Sequence, residues 1–179
     1  MRVITGTARG RRLREPAGMD IRPTTDKVKE ALFNIIQFDI EGRRVLDLFA
    51  GTGQLGIEAM SRGAANAAFI DRDKTAAKLV RENLDRCNLR GSVHQAEALS
   101  FLAGCGQYDL IFVDPPYDAG LYGPVVDAIL KFDILPEGGI IVCESAREAA
   151  LPAPRELGRR DYSYGQVKLT VYTRKAADE

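Results

Sequence analysis

Histidine is nearly missing from this chain of 179 residues, which holds only His94, and cysteine is scarce. Cys87, Cys105 and Cys143 are far apart, odd in number and in no metal-ligand spacing, which argues against a disulfide framework and leaves no candidate metal ligands. They read as reduced, buried thiols of a cytoplasmic protein. No apolar run approaches the length of a membrane span. The opening residues, with Arg2 and Arg9 around a short mixed segment, lack the apolar region of a signal peptide, so no membrane is expected among the partners. A surplus of one charge is also missing: 25 Lys and Arg balance 25 Asp and Glu, which argues against a chain that binds nucleic acid over its whole surface. There is no internal repeat and no low-complexity segment. The length suits one domain with a full core.

What the chain does have is a strand-turn-helix at its centre, Val45-Leu46-Asp47-Leu48-Phe49-Ala50-Gly51-Thr52-Gly53-Gln54-Leu55-Gly56. Apolar residues up to Leu48 read as a buried strand, the glycines as a tight turn, and Ile57, Ala59 and Met60 as the start of a helix packing back on it. Gly51, Gly53 and Gly56 match the dinucleotide spacing, and Asp71, closing the apolar run 67–70, lies where a ribose-binding acid would. The charges separate the possibilities. A pyrophosphate wants the positive end of a helix with no anion beside it, yet Asp47 precedes the turn and Glu58 sits in the first helical turn. Both suit a ligand carrying an ammonium, a sulfonium and an adenosine without phosphate, and S-adenosylmethionine is such a ligand.

In chain order, residues 2–7 and 11–14, separated by Ala8-Arg9-Gly10, read as a small hairpin or arm carrying guanidiniums, with Gly10 as the turn residue. Ile21-Arg22-Pro23 should be extended. Thr24, Thr25 and Asp26 offer an N-cap to a helix whose inward face is Val28, Ala31, Leu32, Ile35 and Ile36, and they are placed to close one wall of the cofactor pocket. After the glycine turn and its helix, which ends near residues 62–63, comes a second strand at 67–70. Asp73 caps the following helix, 74–86, while Asp71 is left to the ribose hydroxyls. A third strand at 92–95 leads to Glu97, at a strand end where a carboxylate can accept from the adenine amino group, and to a helical segment at 99–102. His94 falls inside that strand and reads as a packed or half-exposed residue rather than a catalyst.

Tyr108-Asp109-Leu110-Ile111-Phe112-Val113-Asp114-Pro115-Pro116-Tyr117 is the second chemical element. An apolar strand reaches Val113 and is broken by the two prolines. The fixed backbone holds the Asp114 carboxylate and the Pro115 carbonyl as paired acceptors for a planar amino group, and Tyr117 offers a ring on which its base can stack, worth about 1–3 kcal/mol. Alone, such a turn could be no more than a rigid corner; with the glycine turn in a β-α alternation it points to amine chemistry. A helix at 121–131, an apolar strand at 140–143 and an antiparallel hairpin at the sheet edge, 161–164 and 166–173 turning at Gly165, complete the chain. Glu144, Arg147 and Glu148 read as surface. Two basic groups stand out, Arg2, Arg9, Arg11, Arg12 and Arg14 at the start and Arg155, Arg159, Arg160, Lys168, Arg174 and Lys175 near the end. Solvated loops and strand edges explain either one equally well unless it lies beside the active site.

The chain resembles the RsmD-type 16S rRNA guanine-N2 methyltransferases of bacteria. The matching residues are Arg22-Pro23-Thr24-Thr25-Asp26-Lys27-Val28-Lys29-Glu30-Ala31-Leu32-Phe33-Asn34, the glycine turn from Leu46 to Gly53, Asp71, Asn83-Leu84, Asp114-Pro115-Pro116-Tyr117 and the opening Ile4-Thr5-Gly6-Thr7-Ala8-Arg9-Gly10. Many amino-methyltransferases share the turn and the proline motif; residues 22–34 narrow the resemblance. It implies a Rossmann-like class I methyltransferase fold, α/β with a mostly parallel sheet and an antiparallel edge hairpin, over residues 41–179. A small hairpin and helix extension at 1–40 belongs to the same unit, working as a monomer. The implied activity is transfer of a methyl from S-adenosylmethionine, leaving S-adenosylhomocysteine, to one guanine amine of 16S rRNA in the small ribosomal subunit or an assembly intermediate. Asp114, Pro115, Pro116 and Tyr117 would hold the base. Asp47, Gly51, Gly53, Asp71 and Glu97 would line the cofactor, with Phe49, Thr52, Arg72, Ala98 and Thr25 completing its surroundings. Arg9, Arg11, Arg12 and Arg22 would meet RNA phosphates.

Three other readings fit parts of the sequence. A DNA adenine-N6 methyltransferase shares the proline motif but normally carries extra target-reading sequence. A nicotinamide enzyme fits the glycines but not Asp47. A non-catalytic RNA-binding assembly factor on the same fold would transfer no methyl group.

Overall fold

The computed structural model describes residues 1–17 and 25–178. Of the residues singled out above, Ile21, Arg22, Pro23 and Thr24 lie outside the described residues. Five helices and seven strands follow in order: α1 (Asp26–Ile35), β1 (Arg44–Asp47), α2 (Gln54–Ser61), β2 (Asn66–Asp71), α3 (Lys74–Arg86), β3 (Ser92–Gln95), α4 (Ala98–Leu102), β4 (Leu110–Val113), α5 (Tyr122–Lys131), β5 (Ile140–Ala146), β6 (Leu157–Tyr164) and β7 (Val167–Arg174). The strands form one sheet in the order β3-β2-β1-β4-β5-β7-β6. The first five are parallel, and β7 runs antiparallel to both of its neighbours.

Parallel strands joined by helices are covered on both faces, so their sequences read as continuous apolar runs. Alternation then divides them. Val45, Phe69, Phe112, Val142 and Leu169 face one layer, packed with Val28, Leu32 and Phe33 of α1, Ile57 of α2, and Val80 and Leu84 of α3. Leu46, Ala68, Ile70, Ile111, Val113, Ile141 and Cys143 face the other, against Leu102 of α4 and Val125, Val126 and Ile129 of α5. Gly56 lets α2 approach the sheet: a Cβ there would stand 2.4 Å from the Phe69 ring.

The strand order reverses between β1 and β4, and an open α/β sheet has its crevice at such a switch point, beyond the carboxyl ends of the strands. Both chemical stretches of the sequence, the glycine turn after β1 and the proline turn after β4, are delivered to that crevice.

Three boundaries differ from the sequence expectation. β5 continues to Ala146, three residues past the expected end, because Val142, Glu144 and Ala146 keep pairing with β7. That turns Glu144 from a surface residue into a buried one, 5% exposed. β6 begins at Leu157 rather than 161, where Gly158, Arg159 and Arg160 conceal the strand pattern. The opening arm is a loosely paired hairpin with a single bridge, Arg2 to Arg12, docked on α2 by the Thr7 N–H donating to the Ser61 carbonyl at 2.8 Å. Gly6 lies against the same carbonyl at φ +92°, where any Cβ would collide. No helix among the described residues is long and apolar enough to cross a membrane.

Candidate active site at the switch point

A cleft of about 530 Å³ opens over the ends of β1 to β5, within the range of small-molecule sites. Its floor is the β1–α2 turn. Gly51 (φ 57°) and Gly53 (φ 82°) take left-handed conformations that other residues rarely adopt. Side chains from three elements hold this turn. Asp71 accepts the Gly51 N–H at 3.0 Å through one oxygen and the Asp73 N–H at 2.9 Å through the other. Asn83, fully buried on α3, donates to the Thr52 carbonyl at 2.9 Å. Asp47 accepts the Gly56 N–H at 2.9 Å.

Asp47 is 2% exposed, and burial pushes its carboxyl up to about 7, against the opposing Gly56 N–H and with help from the nearby Asp71 charge. Such a group favours a cationic ligand, whose charge would restore its ionised form. Asp71 is committed to backbone donors, yet each carboxylate oxygen keeps a further lone pair for a ligand hydroxyl. Phe49, Thr52, Arg72, Glu97 and Ala98 line the same cleft. Asp73 caps α3 by accepting from Ala76 N–H at 2.8 Å.

The opposite wall is the proline turn, with Asp114, Pro115, Pro116 and Tyr117 all on the cleft. Tyr117 opens a single 3-10 turn, Tyr117–Ala119. The structure therefore brings the two chemical stretches to one cavity. Beneath Asp114, the Tyr122 hydroxyl donates to the Glu144 carbonyl at 2.6 Å. Burial, joined by the Asp114 charge, drives the Tyr122 phenol well above its ordinary range and does the same to the Cys143 thiol. Neither is a nucleophile at neutral pH.

Several expected residues stand elsewhere. Thr25 does not line the cleft; it caps α1 by accepting the Val28 N–H at 3.2 Å. Gly53 is not among the lining residues either, and a Cβ there would press on Val80 and Ile57. Glu58, read as facing a cationic ligand, points the other way: it is fully buried under the arm and accepts from Ile4 N–H at 2.9 Å, Thr5 N–H at 3.0 Å and Arg62 Nε at 2.9 Å. A residue four positions into a helix faces one layer or the other, and here the docked arm supplies the donors. Arg9, Arg11 and Arg12 are exposed on the arm outside the cleft. Their arm is tied to the glycine turn through Asn83, which also pairs with the Arg14 backbone in both directions, at 2.7 and 3.1 Å.

The C-terminal basic group is split: Arg155, Arg174 and Lys175 line one pocket away from the cleft, and the others stand apart from it. Arg159 pairs with Asp161 at 3.1 Å, Lys168 donates to the Ala149 carbonyl, and Arg174 lies at the sheet end opposite the cleft, beside the start of β5. His94 packs on the Phe101 ring, 5.3 Å between centroids, off the cleft. Among the cleft residues that reading the sequence missed are Met1, Gln54 and Glu144. Met1 arrives only because the arm folds back, its sulfur accepting from the Thr52 hydroxyl at 3.3 Å. For Glu144 a signal existed, the every-second-residue spacing Ile140, Val142, Glu144.

Residues 1–173 match the family described as Conserved hypothetical protein 95. The chain belongs to that family, the RsmD type its motifs resemble. Two curated relatives span nearly all of this chain. YlbH of Bacillus subtilis is 40% identical over 98% of this chain and all of its own. The Escherichia coli protein named ribosomal RNA small subunit methyltransferase D is 37% identical over 100% of this chain and 92% of its own. The solved structure of yhhF from Escherichia coli gives a TM-score of 0.89 at 38% identity, covering 98% of both chains. The family match takes in the docked arm as well as the cleft, so both belong to one matched unit.

Proposed function

We propose that this chain is an S-adenosylmethionine-dependent methyltransferase that modifies the exocyclic N2 amine of one guanine in small-subunit ribosomal RNA. The single observation that carries the reading is the meeting of the glycine turn and Asp114-Pro115-Pro116-Tyr117 across one cleft. The Escherichia coli relative's name supports the substrate class.

The residues present fit such a cofactor. Asp47 is a buried carboxylate whose proton is easily displaced by a neighbouring cation, which suits an ammonium. Asp71 closes β2 with lone pairs left for a ribose, and Glu97 and Ala98 at the start of α4 lie on the cleft where an adenine ring would rest. Gln54 adds a buried side-chain oxygen with no partner among the described residues. When bound, the cofactor supplies an electrophilic methyl group on a positively charged sulfur.

The chain's own work is placement. The N2 lone pair of guanine is delocalised into its ring, so the nitrogen must be held in line with the methyl rather than deprotonated first. Asp114 accepts an N–H of that amine, orients its lone pair and offsets the positive charge that the nitrogen gains as the new N–C bond forms. The proton then leaves the nitrogen to Asp114 or to solvent. Pro115 and Pro116 keep that carboxylate from drifting, since each ring fixes its own backbone φ. Tyr117 offers its ring to the base, which must leave its stack to enter. Arg9, Arg11 and Arg12, exposed on the arm, supply charge for RNA phosphates.

The test is incubation of the protein with labelled cofactor and small ribosomal subunits from cells lacking it, followed by mapping of the modified nucleotide. Label on a guanine N2 is the expected result; label on adenine, or none, overturns the reading. Asp114→Ala should abolish transfer while calorimetry shows cofactor affinity within a few fold of the parent.

A further inference from the structure

We infer that Glu144 is the residue that selects guanine: its carboxylate accepts the ring N1–H while Asp114, one strand away, holds the N2 amine. The inference rests on the function proposed above and adds to it a specificity determinant.

The placement follows from register. β4 and β5 are parallel, with Phe112 opposite Val142 and Val113 opposite Cys143. The next pair along is Asp114 and Glu144. Neighbouring strands lie about 4.8 Å apart, and residues two apart share a face. Phe112 and Val142 pack in the same layer of the core, and Asp114 and Glu144, two residues further along each chain, both line the cleft. The chain thus brings two acidic residues from neighbouring strands to the one cleft where the target amine is to be held.

A carboxylate only 5% exposed is costly unless donors meet it. Glu144 already takes part in interactions within the protein, and a carboxylate, with two oxygens, can accept from more than one donor at once. Guanine presents two adjacent kinds of donor on its pairing edge, N1–H and the N2 amine, which two adjacent carboxylates match. Adenine carries an acceptor at N1 in place of a donor. An ionised Glu144 would face that lone pair with its own, and a site built for a donor rejects the analogue that lacks it. Asp114 by itself cannot make this distinction, because any planar amine satisfies it.

2-Aminopurine separates the two roles. It keeps the N2 amine of guanine in the same position and has an acceptor at N1. Small subunits would be reconstituted with 2-aminopurine at the guanine mapped by labelling, and kcat/KM compared for the parent and for Glu144→Gln, with cofactor affinity by calorimetry as the control for folding. The parent should prefer guanine over 2-aminopurine by about tenfold or more, the scale of one good base contact. In Glu144→Gln the amide can donate to N1, so the preference should fall at least about tenfold, through loss on guanine and gain or no loss on 2-aminopurine. An unchanged preference with cofactor binding intact overturns the inference. If Glu144→Gln does not fold, Glu144→Asp serves instead: it should keep the sign of the preference while lowering kcat/KM, and full activity in that variant would equally overturn it. Absence of label on any guanine with the parent protein overturns the function itself, an outcome read before any variant is made.

Discussion

Glu58 offers the sharpest test of how the fold is held together. Its carboxylate, fully buried, receives the N–H groups of Ile4 and Thr5 and the Arg62 guanidinium, and stands 3.9 Å from the Lys29 ammonium. Lys29 is itself fully buried and donates to the Arg2 carbonyl at 2.7 Å. Burial holds its ammonium below the ordinary lysine range, and the Glu58 charge is the main influence opposing that. Glu58→Ala leaves the lysine charge without its partner and strands two backbone donors. Breaking a buried pair from one side costs about 3–5 kcal/mol. For a domain with a urea slope of about 2 kcal/mol/M, that moves the denaturation midpoint down by about 2 M. Pairing the change with Lys29→Met should recover part of the loss, because the stranded charge is then gone and the two effects are not additive. Cofactor affinity in the milder Glu58→Gln should stay within a few fold of the parent, since Glu58 faces the arm and not the cleft. A midpoint shift below about 0.5 M (about 1 kcal/mol on the same slope) would refute the ion-pair reasoning. A more than tenfold loss of cofactor binding in a stable Glu58→Gln would restore Glu58 to the ligand site.

Asp47 predicts a pH dependence of definite sign. Its carboxyl is raised to about 7 in the folded protein, so between about pH 4 and pH 7 the folded state keeps a proton that the unfolded chain has lost. Stability of the cofactor-free protein should fall across that window, by at most about 1.4 kcal/mol per pH unit, and Asp47→Asn should flatten the curve of urea midpoint against pH. Gly56→Ala places a methyl 2.4 Å from the Phe69 ring. The helix must back away from the sheet, and a melting experiment should show about 1–3 kcal/mol lost.

The parts of the fold that could be read from sequence are those where neighbours along the chain decide the outcome. The apolar run before Asp47, the glycines after it and the proline break after Asp114 each impose a local conformation that no distant contact needs to supply. Asp73 as the cap of α3 belongs to the same kind, since a cap reaches only the Ala76 N–H three residues on. What could not be read depends on contacts distant in sequence. Glu58 looked like a ligand residue because its donors, Ile4 and Thr5, lie more than fifty positions earlier. Met1 reaches the cleft for the same reason. Gly53 fits the glycine spacing, and the structure adds a reason for it that the spacing does not show, since a Cβ there would press on Val80 of α3. Glu144 was misplaced because a charged residue after an apolar run signals a strand end, whereas β7 goes on pairing with β5 as far as Ala146.

These long-range contacts share a target. Asp71 holds Gly51, Asn83 holds Thr52 and Asp47 holds Gly56, so the turn is fixed at three points by side chains from β2, α3 and β1. A turn already ordered spends little conformational entropy when a ligand arrives, and affinity then depends on the contacts made rather than on the ordering needed to make them. Asn83 extends the same rigidity outward. Its amide grips the Arg14 backbone as well as the Thr52 carbonyl, and the arm bearing Arg9, Arg11 and Arg12 ends at that grip. The position of those guanidiniums is therefore referenced to the core at several points, through Asn83 at the floor of the cleft and through Glu58 and Lys29 beneath the start of the arm. On the function proposed above, the distance between a phosphate bound on the arm and a base seated at Asp114 would be a property of the folded core, and a substrate whose shape did not span it could not present its amine.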